Sequence, residues 1–488
     1  MQIISIKKKY LVATVLLFIF LVSFPSGYLQ AKDLPEPLSL MLEQEGIPLS
    51  TLSLIVQPVD STSSIIRVNP KKYRNPGSLA KLFTAFVAID KLGPESQWET
   101  VIYASDPIDD GIVEQLLIEG GGDPFLTNEQ LLKLIKDLRK LGLHTIRNGL
   151  LIDQSLFPKA NNTPGDFDDD PLRPYNVMHA SLMANFNTID FTVKKNIKND
   201  GVNIEYDFLP NGIIFSNNLK MGKGSCNDFR DNVIFKQLIQ DSYPPNIVIE
   251  LNGIYPQNCD QYKHDIAVTE TNHYFFGLFS YLWQQSGGII NGYINEIDIK
   301  KNATELLQFK SIKLSELAPH LLKNSNNFIA RQLFLTIGGS KTNYSLRTAR
   351  KTMKKVLKIN GVNSRKNFYD NGSGLSRLTS IRPDTLFDLL QTIYRHSASS
   401  IIMSSLPISG IDGTLSNRFK SPMLRERMRL KTGTLDGVRA LAGYVTGLSG
   451  QEYIVVYIHN DLSEVSYQTK KFENALFEWI VDDKDRIL

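Results

Sequence analysis

The strongest strand signals in this chain lie at its two ends, and that placement constrains the fold more than any other feature. Residues 51–59 and 64–68 are β-rich and flank Asp60-Ser61-Thr62-Ser63, so they read as a hairpin. Residues 438–446 and 452–459 read as adjacent strands near the other end. Helical patterns lie between. After the turn Asn75-Pro76-Gly77-Ser78, the residues Leu79, Leu82, Phe83, Phe86 and Ile89 fall on one helical face. Gly93-Pro94 stops that helix. Helical patterning resumes at 274–283 and 313–336, and Phe472, Leu476, Trp479 and Ile480 mark an amphipathic terminal helix. Strands at both ends with helices between call for one α/β (α+β) domain whose sheet the C-terminus completes. Whatever occupies the middle is then an insertion.

Residues 96–270 have a different texture. Short β runs (100–103, 150–152, 189–193, 246–251) alternate with Gly, Asn, Asp and Pro clusters such as Gly120-Gly121-Gly122-Asp123-Pro124. This stretch reads as a mostly-β insertion. The expected organisation is a leader over 1–31, a split domain over 32–95 plus 271–488, and inserted β material over 96–270.

The first residues read as a targeting segment. Lys7, Lys8 and Lys9 precede a fifteen-residue run (10–24) without charge, and Pro25-Ser26-Gly27 breaks it before a small residue at Ala31. That is the pattern of a secretory signal peptide. The competing reading, an uncleaved anchor, meets a run shorter than the ~20 residues a bilayer-spanning helix needs. The expected location is therefore the periplasm. Without 1–31 the net charge falls from +4 to +1, because the leader holds three lysines and no acids. No basic stripe interleaved with aromatics remains to support nucleic acid binding. Cys226 and Cys259 are the only cysteines. In an exported chain they are expected to bond, with two buried thiols as the alternative.

Three short patterns carry chemistry, in this order: Ser78-Leu79-Ala80-Lys81, Ser325-Asn326-Asn327 and Lys431-Thr432-Gly433. At a helix start, Ser-x-x-Lys stacks two side chains on one face. A desolvated lysine near a second cation can be neutral enough to take the serine proton. The helix N-terminus adds positive potential for an oxyanion. Ser325 and Asn327, two apart, suit proton relay and a grip on a substrate amide. Lys431 and Thr432 offer a cation and a hydroxyl to a carboxylate, and Gly433 would let a ligand backbone lie against the strand. Singly the first two patterns are weak: Ser5/Lys8, Ser216/Asn218 and Ser225/Asn227 repeat their spacings. Lys-Thr-Gly occurs once. Order and context lift the set, which matches the active-site serine penicillin-recognising enzymes.

Longer strings narrow the match. They are Pro76-Gly-Ser-Leu-Ala-Lys-Leu-Phe-Thr-Ala85, Gly120-Gly-Gly-Asp-Pro124, Leu151-Ile-Asp-Gln-Ser-Leu-Phe157 and Asn185-Phe-Asn-Thr188. Further on come Asn324-Ser-Asn-Asn327, Asp370-Asn-Gly-Ser-Gly-Leu-Ser-Arg377, Gly410-Ile-Asp-Gly-Thr414 and Lys431-Thr-Gly-Thr434. Together they resemble the class C low-molecular-mass penicillin-binding proteins, the D-alanyl-D-alanine carboxypeptidase/endopeptidases, from about residue 35 to the end. The resemblance implies a transpeptidase/β-lactamase-like domain, with an antiparallel sheet and a helical region, split by a large insertion. The 243 residues between the first two motifs (82–324) fit such an insertion. The Cys226/Cys259 pair resembles one the family carries there.

By that resemblance Ser78 is the nucleophile and Lys81 its general base, while Ser325 and Asn327 complete the relay. Lys431, Thr432 and Thr434 take the terminal carboxylate, with Gly433 between them. The backbone N–H groups of Ser78 and Thr434 form the oxyanion hole. Arg377 resembles the family arginine that engages a carboxylate of the stem-peptide diamino acid. Asp153 is a weaker candidate for its ammonium, against a plain strand-end turn aspartate. The implied partners are peptidoglycan peptides, with β-lactams as covalent inhibitors, and no cofactor or metal. Three positions depart from the family pattern. Leu79 stands where Thr is common, Gly77 where Ala is common, and Arg331 follows Ala330 where the family has Glu. The last reverses charge close to the second motif.

Other features carry less. Gly120-Gly121-Gly122 lacks the Gly-Lys-Ser/Thr of a phosphate-binding loop and reads as a turn. No His-Glu-x-x-His occurs among the seven histidines. His459 reads as a satisfied histidine in an apolar strand, and 166–170 as a solvated acidic loop. The expected function is a serine DD-peptidase. The alternatives are a β-lactamase-like hydrolase, a non-catalytic peptidoglycan-binding protein that keeps the fold and, more distantly, a serine–histidine–aspartate hydrolase.

Overall fold

In the computed structural model, which describes residues 34–160, 163–196, 201–240, 245–297, 303–339, 344–461 and 466–484, the two ends of the chain meet in one sheet. Its strands are β1 (Leu52–Pro58), β2 (Ile66–Val68), β3 (Met428–Leu435), β4 (Val438–Thr446) and β5 (Glu452–Asn460). They lie in the order β3-β4-β5-β1-β2, antiparallel throughout. The hairpin at 51–68 and the neighbouring strands near the C-terminus are as expected. The leader at 1–31 lies outside the described residues.

Alternation along these strands sends side chains to two cores. Ile55, Ala440, Ala442, Tyr444, Ile454, Val456 and Ile458 point to one face and Leu54, Val56, Leu441, Val445, Tyr453, Val455 and Tyr457 to the other. Both faces are buried, which is why β5 is a nearly unbroken apolar run rather than an alternating one. One face packs on helices α1 (Ala80–Leu92), α2 (Leu314–Leu322), α3 (Asn327–Gly338), α4 (Leu346–Ile359) and α5 (Pro383–Arg395). The other face packs on Glu36–Gln44 and on the terminal helix Ser466–Val481, through Leu38, Leu42, Phe472, Leu476 and Ile480. The α1 stripe Leu79, Leu82, Phe83, Phe86 and Ile89 is buried as its spacing predicts. Gly93, at φ +88, ends the helix with its N–H on Ile89 O.

A second core gathers residues from Ile102 to Phe309. Its largest sheet orders Tyr293–Glu296, Gly149–Asp153, Leu116–Glu119, Glu99–Ala104 and Thr304–Lys310 side by side. Three further three-stranded sheets lie in this region, and the Cys226–Cys259 disulfide is formed as expected. The helix Thr271–Gln285 packs Phe275, Leu278, Phe279, Leu282 and Trp283 into this second core. Helical periodicity announces a helix but not which core receives its stripe. The stretch 96–270 is β-rich, as expected, and it also carries a helix. Asn128–Lys140 is a helix with Leu131, Leu134, Ile135 and Leu138 buried on one face and Thr127 capping the N–H of Gln130.

Candidate active site

Ser78 sits in the single 3₁₀ turn Gly77–Leu79 that opens α1. The turn is anchored from below. Asn75 Oδ1 accepts the N–H of Gly77 at 2.9 Å, and Asn460 of β5 bonds both the N–H and the carbonyl of Asn75. One helical turn on, Lys81 is fully buried. Its Nζ lies 2.9 Å from Ser78 Oγ, 2.6 Å from Asn327 Oδ1 and 2.7 Å from Ser373 O. Burial holds the Lys81 pKa well below the ordinary lysine range, and the charges of Lys431 and Arg331 push the same way.

The helical stretch at 313–336 breaks into α2 and α3, and the break presents the second motif. Ser325 has φ +56, a conformation costly for a residue with a Cβ. Asn326 caps α3 by accepting the N–H of Ile329 at 3.0 Å, which starts the helix at Asn327. The Asn327 amide is held at both ends, with Oδ1 at Lys81 and Nδ2 donating to Tyr175 O at 3.1 Å. Arg331, one turn further, is buried. Its Nη1 donates to Tyr175 O at 3.2 Å and to Val177 O.

The third motif lies on β3, the edge strand of the sheet. Lys431 is buried, with Nζ 2.8 Å from Ser325 Oγ and 2.9 Å from Thr432 O, and burial lowers its pKa to about 7. Thr432 turns its hydroxyl to Thr414 Oγ1 at 2.8 Å, whereas Thr434 stands at the cleft. Gly433 differs from expectation. A Cβ there would sit 2.6 Å from Pro76 O and 3.3 Å from Ser78 N, so the room it leaves is filled by the Ser78 turn.

Ser78, Ser325, Asn327 and Thr434 line one cleft of about 960 Å³, with the buried Lys81 and Lys431 behind them. The opposite wall comes from the second region and was invisible as a motif. Phe167, Asp168 and Tyr175 line it. The acidic loop 166–170, expected to be solvated, therefore lines the site through Phe167 and Asp168. Arg377 bridges the walls. Its guanidinium lies 4.8 Å from the Phe167 ring, and its Nη1 donates to Asp436 O at 2.7 Å. Leu375, Asp436, Arg439, His459 and Asp461 also line the cleft. His459 Nε2 meets Thr51 Oγ1 at 2.9 Å, as a satisfied strand histidine should. Asp153 is not among the lining residues. It ends the strand Gly149–Asp153 and accepts the N–H of Ser155 at 2.7 Å. Among the described residues, no three His, Cys, Asp or Glu side chains stand together as a metal-ligand set.

A model of the D-Ala-D-Ala carboxypeptidase 3 (S13) family matches residues 34–480. The chain is 27% identical over 448 residues to the D-alanyl-D-alanine carboxypeptidase DacB of Haemophilus influenzae, covering 88% of this chain and 90% of that protein. It is 25% identical over 436 residues to a D-alanyl-D-alanine carboxypeptidase of Actinomadura sp., covering 86% of this chain and 79% of that protein. The crystal structure of penicillin binding protein 4 from Haemophilus influenzae shares the fold. Its TM-score is 0.75 at 24% identity, with 91% of this chain and 99% of that one covered. The same protein complexed with a β-lactam gives a TM-score of 0.70 at 25% identity over the same shares of the two chains. Matched over nearly all of its described length, the chain belongs to the D-Ala-D-Ala carboxypeptidase 3 (S13) family.

Proposed function

We propose that the chain removes the terminal D-alanine from peptidoglycan stem peptides through an acyl-enzyme on Ser78. The observation that carries this reading is the surroundings of Lys81. A neutral amine has two N–H donors and one lone pair. Asn327 Oδ1 and Ser373 O take the two donors, which leaves the lone pair for the Ser78 hydroxyl at 2.9 Å. Burial and two neighbouring cations favour that neutral form.

Ser78 Oγ bonds the carbonyl carbon of the penultimate D-Ala and passes its proton to Lys81. The N–H groups of Ser78 and Thr434 hold the oxyanion beside the N-terminus of α1. The C–N bond breaks, Ser325 relays a proton to the departing amine, and D-alanine leaves. Water then hydrolyses the ester. Lys431 and Thr434 hold the terminal carboxylate, while Thr432, turned to Thr414, braces the strand. Arg377 takes a carboxylate of the diamino acid at the Phe167 wall. A β-lactam enters the same sequence and stops at the ester, because its ring-opened amine stays tethered. Residues 1–31 act as an export leader that delivers the chain to the periplasm.

The test is intact-mass analysis of the full chain treated with a penicillin, followed by product analysis on purified muropeptides. One adduct per chain on Ser78, its loss in Ser78→Ala, and release of D-alanine are expected. A wild-type chain that takes no adduct and leaves muropeptides unchanged would sink the reading. Sustained nitrocefin turnover would favour the β-lactamase alternative. Cleavage of cross-linked dimers would add endopeptidase activity on the same serine.

A further inference from the structure

The wall contributed by the second region is tied to the catalytic helix at one backbone carbonyl. Tyr175 O accepts both Asn327 Nδ2, at 3.1 Å, and Arg331 Nη1, at 3.2 Å. Asn327 and Arg331 stand four apart on α3, on one face. Arg331 Nη1 also donates to Val177 O, so one guanidinium nitrogen holds the middle of the turn Pro174–Asn176 and the residue that follows it. The arginine is only 6% exposed, and the partners it holds are neutral carbonyls. Asp370, the carboxylate whose charge acts on it, is ion-paired to Arg350 at 2.9 Å instead. A buried guanidinium without an anion beside it is costly, so a structural brace alone is a poor account of it.

We propose that Arg331 is a positioning residue for acylation, pinning Tyr175 O against α3 and so holding the Asn327 amide with its oxygen on Lys81. This rests on reading Ser78 as nucleophile and Lys81 as base. With Nδ2 committed to Tyr175 O, the amide oxygen has to face Lys81 Nζ at 2.6 Å. Were the turn free to drift, the amide could rotate and present its N–H₂ to the lysine instead. Lys81 would then lose the acceptor that aims its lone pair at Ser78.

A second consequence is electrostatic. The groups facing Lys81 are Ser78 from its own turn, Asn327 and Arg331 from α3, Lys431 from β3 and the Ser373 carbonyl. The Asp370 carboxylate acts on Arg331 and pairs with Arg350, and the charges that act on Lys81 are those of Lys431 and Arg331. The charged members of this set are all cations, and each disfavours protonated Lys81. Removing one lets the lysine hold its proton to higher pH. The acid limb of the acylation profile then moves up.

The experiment measures the penicillin acylation rate constant against pH, by intact mass, for the full-length wild type, Arg331→Met and Arg331→Lys, with melting temperatures alongside. Arg331→Met is expected to acylate about tenfold more slowly at neutral pH, with its acid limb displaced upward. Arg331→Lys keeps the charge but not the longer, planar guanidinium that places Nη1 between the two carbonyls. Its limb should return to the wild-type position while the rate recovers only in part. A folded Arg331→Met with wild-type rate and limb, its melting temperature alone reduced, overturns the inference. If that variant does not fold, Arg331→Lys decides. A drop of about threefold or more with the limb in place supports the inference, and a wild-type rate and limb overturn it. If the wild type itself takes no adduct, the reading of Ser78 fails instead, so the two failures are distinct.

Discussion

The two walls of the cleft are built by different means. On one, Ser78, Lys81, Asn327, Ser325 and Lys431 bond to one another in two short chains, and both lysines are buried. On the other, Phe167, Asp168 and Tyr175 stand on a loop held by its own bonds. Asp168 takes the Tyr175 hydroxyl at 2.6 Å and the Asn176 amide at 2.7 Å, and Arg173 pairs with Asp170 at 2.5 Å. The groups of the first wall satisfy one another within each chain, so a change at one group reaches its bonded partners. The second is braced largely by its own bonds, with Tyr175 O as its tie to α3. On the proposed mechanism the chemistry falls to the first wall and recognition of the peptide mainly to the second. A variant that moves the wrong quantity would end that division.

The largest expected effect falls on the first wall. Burial brings the Lys431 pKa to about 7, so the free lysine is charged below that pH and neutral above it. An anionic substrate carboxylate therefore meets a weaker partner as pH rises. KM for a peptide with a free C-terminal carboxylate should climb about tenfold per unit above pH 7. The matching methyl ester should show no such climb. A KM for the acid that stays flat between pH 6 and 9 would mean that Lys431 does not read the carboxylate as a cation. Because Lys81 must be neutral and Lys431 charged, kcat/KM should be bell-shaped, with the acid limb from the first and the alkaline limb from the second.

The same division governs what could be read from the sequence. The sheet was legible because β1, β4 and β5 are buried on both faces, and double burial writes itself as long apolar runs. The first wall was legible because its chemistry fixes residue types at fixed spacings: Ser78 and Lys81 one turn apart, Ser325 and Asn327 around a helix cap. The second wall was not. Phe167, Asp168 and Tyr175 lie in a segment with no period, and only tertiary bonds such as Asn327 to Tyr175 O bring it to the site. The membership of Thr271–Gln285 in the second core was hidden for a related reason, since an amphipathic stripe does not name its partner. The helix Asn128–Lys140 is different. Its stripe and its Thr127 cap were both present, and the surrounding β character masked them. Gly433 was legible as a position of close approach, but what approaches it is the chain's own Pro76 carbonyl.

A smaller effect is expected from Phe167→Ala. It removes the ring beneath the Arg377 guanidinium, a contact worth about 0.5–1 kcal/mol at a site open to solvent. If the arginine is thereby held less firmly, KM for a stem peptide carrying the diamino acid should rise about two- to fivefold. Its kcat, and acylation by a simple penicillin that lacks that side chain, should stay within about twofold. A fall in penicillin acylation comparable to the rise in KM would show that the second wall also sets the chemistry, and the division drawn above would fail.

The smallest effect on acylation is expected from the disulfide, although its effect on stability is large. Cys226 and Cys259 are 33 residues apart, and closing such a loop contributes about 3–4 kcal/mol in the chain-entropy model. Their alanine double variant should lose about that much stability, read as an earlier unfolding step of the second region in denaturant. Below that step, penicillin acylation should match the wild type, since none of the residues bonded to Ser78 or Lys81 lies in the closed loop. The outcome turns on how tightly the regions are joined at α3, where Phe328 packs with Val177, Met183 and Ala267 and Arg331 holds the Pro174–Asn176 turn. Acylation that falls in step with the unfolding of the second region would make that junction part of the catalytic unit. Acylation that persists until the main sheet itself unfolds would place the machinery wholly on α1, α3 and β3, with the second region supplying only a surface for the peptide.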